Sequence, residues 1–301
     1  MHILHIDTGA EMRGGQHQVL LLLKTLQKAG CEQSLLVRYS GPLGEIARSA
    51  GFSVYAGGLL ASWRLSRSVD IVHAHDARGH LWAAAASSAK FVVSRRVAFP
   101  VNRSPASHWK YARAARYIAV SQCVARELEL AGIPKTRIDI VYDSAETQER
   151  MPGWDPAAPA VALASTDPMK GRHLVERAAH VSGVPVVFSD DLALDLLHAS
   201  MFVYVTKSEG LGSAALLAMS LGVPVVASAV GGLPEIVEHG QTGLLTENKE
   251  RSIARAMRRI VEEPNLALHL RSTAFAAVKE RFSPERLARD TLASYGRVIG
   301  S

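Results

Sequence analysis

In this 301-residue chain the segment best suited to chemistry is Ser208-Glu-Gly-Leu-Gly-Ser213. It follows the apolar run Met201–Val205 and precedes an Ala/Leu-rich stretch, so a strand should pass into a helix through a glycine turn. Glycines let backbone amides approach a ligand, and a helix N-terminus adds partial positive charge, which together make an anion site. Glu209, at the lip of that turn, is placed to hydrogen-bond sugar hydroxyls beside a bound phosphate. Without context the same residues also fit a tight turn with a solvated glutamate.

Five further segments carry reactive groups. Met12-Arg-Gly-Gly-Gln16 follows an apolar run and precedes a helical pattern, a plain turn and helix start on its own. It is not GxGxxG, and no convincing acidic residue stands about 20 positions on, which disfavours a nicotinamide-dependent oxidoreductase. Asp167-Pro-Met-Lys-Gly171, taken alone, reads as a surface lysine before a turn. In Asp70-Ile-Val-His-Ala-His-Asp76, His73 and His75 share one side of a strand, one expected to be buried and one at the rim. A metal pair is conceivable, but no DxD motif or further ligand cluster accompanies it. It therefore ranks below a hydrogen-bonding role, with packed structural histidines as the plain alternative. Arg95 and Arg96 close the run Phe91–Ser94 and offer bidentate contacts suited to phosphate or acidic sugars. Finally, Arg103, Lys110, Arg113 and Arg116 surround Trp109 and Tyr111, a mixture that suits a membrane interface, nucleic acid or a solvated helix face. No nucleic-acid motif accompanies it.

The elements that must position these groups alternate from end to end. Short aliphatic runs at 3–6, 34–37, 71–75, 91–94, 117–120 and 138–142 read as strands, with helical patterns between them such as 16–28, stopped by Ala29-Gly30. Ser121 is a plausible N-cap. Met151-Pro-Gly-Trp-Asp-Pro-Ala-Ala-Pro159 reads as the linker. Beyond it come strands at 161–164, 184–189, 202–205 and 223–227, and helices at about 172–179, 192–199, 213–221 and 250–262, then two more. This is a pair of parallel sheets covered by helices, with ligands expected at the C-terminal strand ends.

Composition bounds the partners. Hydrophobic residues at 48% and charged residues at 21% exclude disorder, collagen and coiled coil. Cys31 and Cys123 stand alone, so neither a disulfide framework nor a structural zinc site is available, and a reducing, cytoplasmic setting is expected. No apolar run approaches the roughly 20 residues of a membrane span, and no signal peptide is visible. A net charge of +6 favours anionic partners.

The stretch Glu209–Ser228, with Gly231-Gly-Leu-Pro-Glu235, His239-Gly-Gln-Thr-Gly243 and Arg281-Phe-Ser-Pro-Glu285, closely resembles the donor-binding region of retaining family 4 glycosyltransferases. The resemblance implies an α/β GT-B fold, two Rossmann-like domains facing a cleft. The expected division is an acceptor-side domain at 1–148, a shortened nucleotide-sugar domain at 149–282, and a C-terminal helix at 283–301 packing back on the first domain. It implies metal-independent transfer with retention from a UDP- or GDP-type sugar to a cell-envelope glycan or lipid-linked acceptor, as in lipopolysaccharide biosynthesis. No cofactor is implied, nucleic acid is not a partner, and peripheral contact with the anionic inner face of the cytoplasmic membrane is. Residue by residue, Glu209 would contact the donor sugar and Lys170 would neutralise the diphosphate. Gly210, Leu211, Gly212 and Ser213, with Gly14 and Gly15, would line the donor, while His75, Arg95 and Arg96 would lie on the acceptor or sugar side. The chain departs from the family at Leu217, where a second glutamate would hold the ribose, and at Ala164-Ser165-Thr166, where a second phosphate-binding cation is common. The stretch between Lys170 and Glu209 is also short. These departures motivate an alternative, a catalytically weak homologue acting as a binding or assembly partner.

Overall fold

The computed structural model describes residues 1–38, 41–102, 104–146 and 148–300. It divides into two units, residues 1–143 with 284–301, and residues 144–283.

The first unit runs β1 (His2–Ile6), α1 (Gly14–Lys28), β2 (Glu32–Val37), α2 (Pro42–Ser49), β3 (Ser53–Ala56), α3 (Leu59–Ser66) and β4 (Ile71–Ala74). It continues through α4 (Ala77–Ala86), β5 (Phe91–Arg95), α5 (Pro105–Arg113), β6 (Arg116–Ala119), α6 (Gln122–Leu130) and β7 (Ile138–Ile140). All seven strands are parallel, in the order β3-β2-β1-β4-β5-β6-β7. The order reverses between β1 and β4, and a doubly wound sheet binds ligands at the strand ends beside such a switch point. α1 forms because Val19, Leu22, Leu23 and Leu26 repeat at helical spacing and bury one face. Ser121 caps α6, its side chain accepting from the Val124 amide at 3.1 Å.

The second unit runs β8 (Ala160–Leu163), α7 (Arg172–Ser182), β9 (Val186–Ser189), α8 (Leu192–Asp195), β10 (Phe202–Tyr204) and α9 (Ser213–Ser220). Then come β11 (Val225–Ser228), α10 (Leu233–Ile236), β12 (Leu244–Thr246), α11 (Glu250–Glu262) and α12 (Pro264–Arg281). Its parallel sheet has the order β12-β11-β10-β8-β9, with the switch point between β8 and β10. Ala160, Ala162, Val203, Val205 and Val226 pack there against Val175, Ile253, Met257 and Ile260 of the helices. α13 (Pro284–Ile299) returns to the first unit, where Leu287, Tyr295 and Val298 share a core with Ile3, Leu22, Leu26 and Ile71.

Several boundaries differ from the sequence expectation. The units part at Asp143/Ser144 and not at 148/149. The Asp143 carboxylate is held by Arg96 of the first unit at 3.2 Å, whereas the Ala145 amide donates to Phe282 O in the second at 3.0 Å. The proline-rich stretch 151–159 is no linker. Trp154 Nε1 donates to Ser200 O at 2.9 Å and Arg271 to Pro152 O at 2.8 Å, so it lies on the second unit. β3 and β12 were not foreseen because both are short edge strands, and β3 is largely exposed. α1 begins at Gly14, two residues earlier than expected, and the helix expected at 192–199 is α8 followed by a separate 3-10 turn.

Candidate functional site

At the switch point of the second unit, the segments after β8 and β10 deliver Lys170 and Glu209 to one place. Lys170 Nζ lies 2.9 Å from Glu209 Oε2 and 3.3 Å from the Tyr204 hydroxyl, which itself donates to Glu209 Oε2. Lys170 and Glu209 keep partial solvent access, at 29% and 17%. Tyr204 is buried. Burial first, then the Glu209 charge and hydrogen bond, push the phenol well above its ordinary pKa, so it remains a donor. Gly212 precedes α9 at φ 114 and offers no side-chain cap, which leaves the amides of the first turn without an intrahelical acceptor. A cation, a carboxylate and a helix N-terminus following the same turn suit an anion carrying hydroxyl groups.

The position of Glu209 is set from behind by a glycine pair. Gly232 N donates to Glu209 O at 3.1 Å, and Gly231 sits at φ +57. A Cβ on Gly231 would stand 1.9 Å from Glu209 O, and one on Gly232 would stand 2.2 Å from Gly210 O. Only glycines permit this backbone contact. The Lys170 side is fixed similarly: Lys207 N and Thr206 Oγ1 donate to Met169 O at 2.8 and 3.2 Å. Asn248 Nδ2 donates to Thr206 O at 2.8 Å, while Ser228 Oγ accepts from Thr206 N at 3.0 Å.

In the first unit, His5 of β1 pairs in register with His73 of β4, and His75 follows on the same face. His5 Nδ1 lies 2.9 Å from His75 Nε2. Both nitrogens of His73 are engaged, with Tyr295 OH at 2.6 Å and Ser94 Oγ at 2.7 Å. All three rings are buried, so neither His73 nor His75 sits at a rim, against the expectation that one of them would. Their ligand atoms lie within 4.8 Å of one another, a grouping that could hold a metal ion. The donor chemistry fits a cation poorly: His5 Nδ1 and His75 Nε2 bond each other, both His73 nitrogens bond hydroxyls, and Arg96 Nη1 lies 3.5 Å from His75 Nδ1, which leaves His5 Nε2 as the one nitrogen of the cluster without a partner among the described residues. Burial drives His5 down to about 3, against the opposing Gln33 amide. Burial also takes His73 and His75 well below their ordinary value, helped by neighbouring histidines and Arg96. The cluster holds neutral imidazoles.

Of the other first-unit candidates, Gly14 and Gly15 open α1, and a Cβ on Gly15 would come within 3.8 Å of Arg96 Cδ. Arg96 pairs with Asp143 at 3.2 Å. Arg95 points elsewhere and bonds Tyr111 OH at 2.9 Å and Phe99 O. Arg116 forms a two-pronged bridge to Asp139, at 2.7 Å for each bond, and so is not a loose surface cation. Arg103 lies outside the described residues. Leu217 is half-buried on α9, which carries no carboxylate. Sequence reasoning missed Tyr204, His5, Asp143 and Tyr295. The signal for Tyr204 was a hydroxyl inside an apolar strand, since a buried phenol needs a partner.

Comparison with known proteins agrees with this layout. Residues 7–149 match the model of Glycosyltransferase Family 4, and residues 178–276 match that of Glycosyl transferases group 1. A D-inositol 3-phosphate glycosyltransferase of Nocardioides sp. is 40% identical over 116 residues, 38% of this chain and 25% of that protein. The human alpha-1,3/1,6-mannosyltransferase ALG2 is 36% identical over 99 residues, 33% of this chain and 24% of its own. The alignments thus span about a quarter of these relatives. Among solved structures, Anabaena HepE in complex with UDP and glucose superposes with a TM-score of 0.85 at 15% identity, over 99% of this chain and 100% of that one. A glycosyltransferase from Rickettsia africae superposes at 0.80 with 16% identity, over 99% and 98% of the two chains. The fold is GT-B, two Rossmann-like parallel-sheet units.

Proposed function

We propose that this chain, built from a family 4 and a group 1 glycosyltransferase domain, moves a sugar from a UDP- or GDP-type nucleotide sugar to a cell-envelope glycan or lipid-linked acceptor. The observation that carries the reading is the Lys170–Glu209–Tyr204 cluster at the switch point of the second unit. Solved neighbours that hold UDP and UDP-glucose support the donor class.

In this reading the bond between the anomeric carbon and the leaving phosphate oxygen breaks. Lys170 and the first-turn amides of α9 take the charge that grows on the diphosphate, and Glu209 orients the sugar hydroxyls. The acceptor oxygen attacks from the face the phosphate leaves, which retains configuration, and its proton passes to the departing phosphate oxygen. No step needs a metal. Arg96 serves the acceptor side, with the buried His75 ring 3.5 Å from its guanidinium. The intact cluster supports turnover over the inactive alternative, while Leu217 leaves the ribose without a carboxylate and weakens donor affinity.

Membrane contact belongs to the same proposal. Residues 57–116 hold ten Lys or Arg and two acids, and of the ten Arg96 and Arg116 are paired with Asp143 and Asp139. Leu59, Leu60 and Trp63 of α3 are exposed, with Arg67 5.0 Å from the Trp63 ring centroid, and exposed Trp109 of α5 has Arg113 at 5.5 Å. Such amphipathic basic surface suits an anionic bilayer on the cytoplasmic side.

Calorimetric titration with UDP and GDP tests the reading. One of the two should bind, and Lys170→Ala should weaken it at least about tenfold, the loss of one charge-assisted contact. Absence of binding to both overturns it.

A further inference from the structure

We propose that Tyr204 is a positioning residue for this reaction, a strand-borne clamp that fixes one oxygen of Glu209 and sets Lys170 beside it, so that the second oxygen faces the donor. The role rests on the donor-site reading above.

The three members of the cluster stand on unequal supports. Lys170 ends a short 3-10 turn and Glu209 sits in the turn before α9, whereas Tyr204 is the last residue of β10. Its backbone lies in the register of β11, with Tyr204 opposite Ala227, and its ring stacks on Phe202 at 5.4 Å between centroids and 20° between planes. It is 4% exposed. The hydroxyl is thus located by the sheet, and the two loop residues are located by the hydroxyl.

The ion pair alone would not do this. Partly exposed pairs contribute little, and Lys170 must also face an anionic ligand that competes for it. A phenol that donates to the carboxylate keeps Glu209 in place when Lys170 turns toward a diphosphate, and it brings no second charge to neutralise the carboxylate. Both bonds from the cluster go to Oε2. Oε1 is left as the acceptor for a sugar hydroxyl. Burial keeps the phenol protonated across the working pH range, so the clamp does not open on its own.

The test uses the full chain, with UDP and GDP as binding probes and UDP- and GDP-hexoses as donors for hydrolysis. Tyr204→Phe should leave nucleoside diphosphate affinity and donor KM within about threefold of the parent. It should lower kcat by about 10- to 100-fold, the loss of a hydrogen bond to a charged group. In a Glu209→Gln background the same change should cost less than about twofold, because the charged carboxylate it positions is gone and only a weaker bond to a neutral amide oxygen is left. Unchanged kcat, or a cost that simply adds to that of Glu209→Gln, overturns the role. If Tyr204→Phe misfolds, 4-aminophenylalanine at this position keeps the shape and leaves a weaker donor to Glu209. A fall in kcat with donor KM unchanged then supports the clamp, and a kcat matching the parent's overturns it. A parent chain that binds neither nucleotide overturns the donor-site reading and this role with it. A parent that binds and turns over but is indifferent to Tyr204 overturns only the role.

Discussion

Acidification from about pH 7.5 to about pH 5 should loosen the first unit while leaving the second nearly untouched, because buried neutral histidines are confined to the first. His5 and His80 are both driven by burial from 6.5 to about 3. His73 and His75 are also held well below 6.5, again mainly by burial. As pH falls through 6.5 the unfolded chain takes up a proton on each, and the folded chain refuses it. The stability from these groups is therefore complete above 6.5 and drains steadily below. At about pH 5, the protons refused by His5 and His80 cost ~2 kcal/mol each, and His73 and His75 add to the loss in the same direction. One carboxyl pulls the other way: Asp7 is raised, mainly by burial. In the second unit His173, His180, His198, His239 and His269 are all exposed. Hydrogen exchange read by mass spectrometry, corrected for intrinsic rates, resolves the two units by peptide. Peptides of β1, β4 and β5 should lose protection by at least about 100-fold at the lower pH relative to those of β8 and β10. Equal loss in both units, or no loss in the first, would refute the reasoning.

Two further outcomes follow from backbone and helix anchors. Gly231→Ala should displace the Glu209 turn, cutting donor hydrolysis at least about tenfold and costing about 1–3 kcal/mol in thermal unfolding. Gly183→Ala, at φ +75 with nothing within 4 Å, should cost stability alone, and equal activity losses in the two variants would contradict the contact. Asp139 accepts from Arg116, Ser294 and Arg297 at 2.7, 2.7 and 2.6 Å. Asp139→Ala should cost about 3 kcal/mol in urea unfolding and expose residues 284–299 to limited proteolysis, whereas unchanged cleavage would show that α13 is held otherwise.

The parallel α/β architecture was legible because strands such as β1, β4 and β10 are buried on both faces and read as largely apolar runs, interrupted in β1 and β4 by histidine. β3 and β12 escaped because an edge strand needs no such run. Glu209 and its glycine turn could be read locally, since a strand, a glycine turn and a helix are adjacent in sequence. The meeting of Lys170 with Glu209 could not, because 39 residues separate them and only the β8–β10 neighbourhood joins their loops. His73 and His75 announced themselves by spacing, but their burial depended on His5, placed opposite by strand register, and on Tyr295, 222 residues from His73. The stretch 151–159 misled because proline and glycine mark any irregular path, whether or not it lies packed against a domain.

The return of α13 to the first unit has a consequence for synthesis on the ribosome. The second unit is contiguous and can close once residue 283 has emerged. The first, although its sheet strands are translated earliest, lacks the helix that covers Ile3 and Ile71 until residues 284–299 leave the exit tunnel. The half made first is therefore finished last. Until then His73 has no Tyr295, and the apolar face of β1 and β4 lies open to chaperones or to other nascent chains.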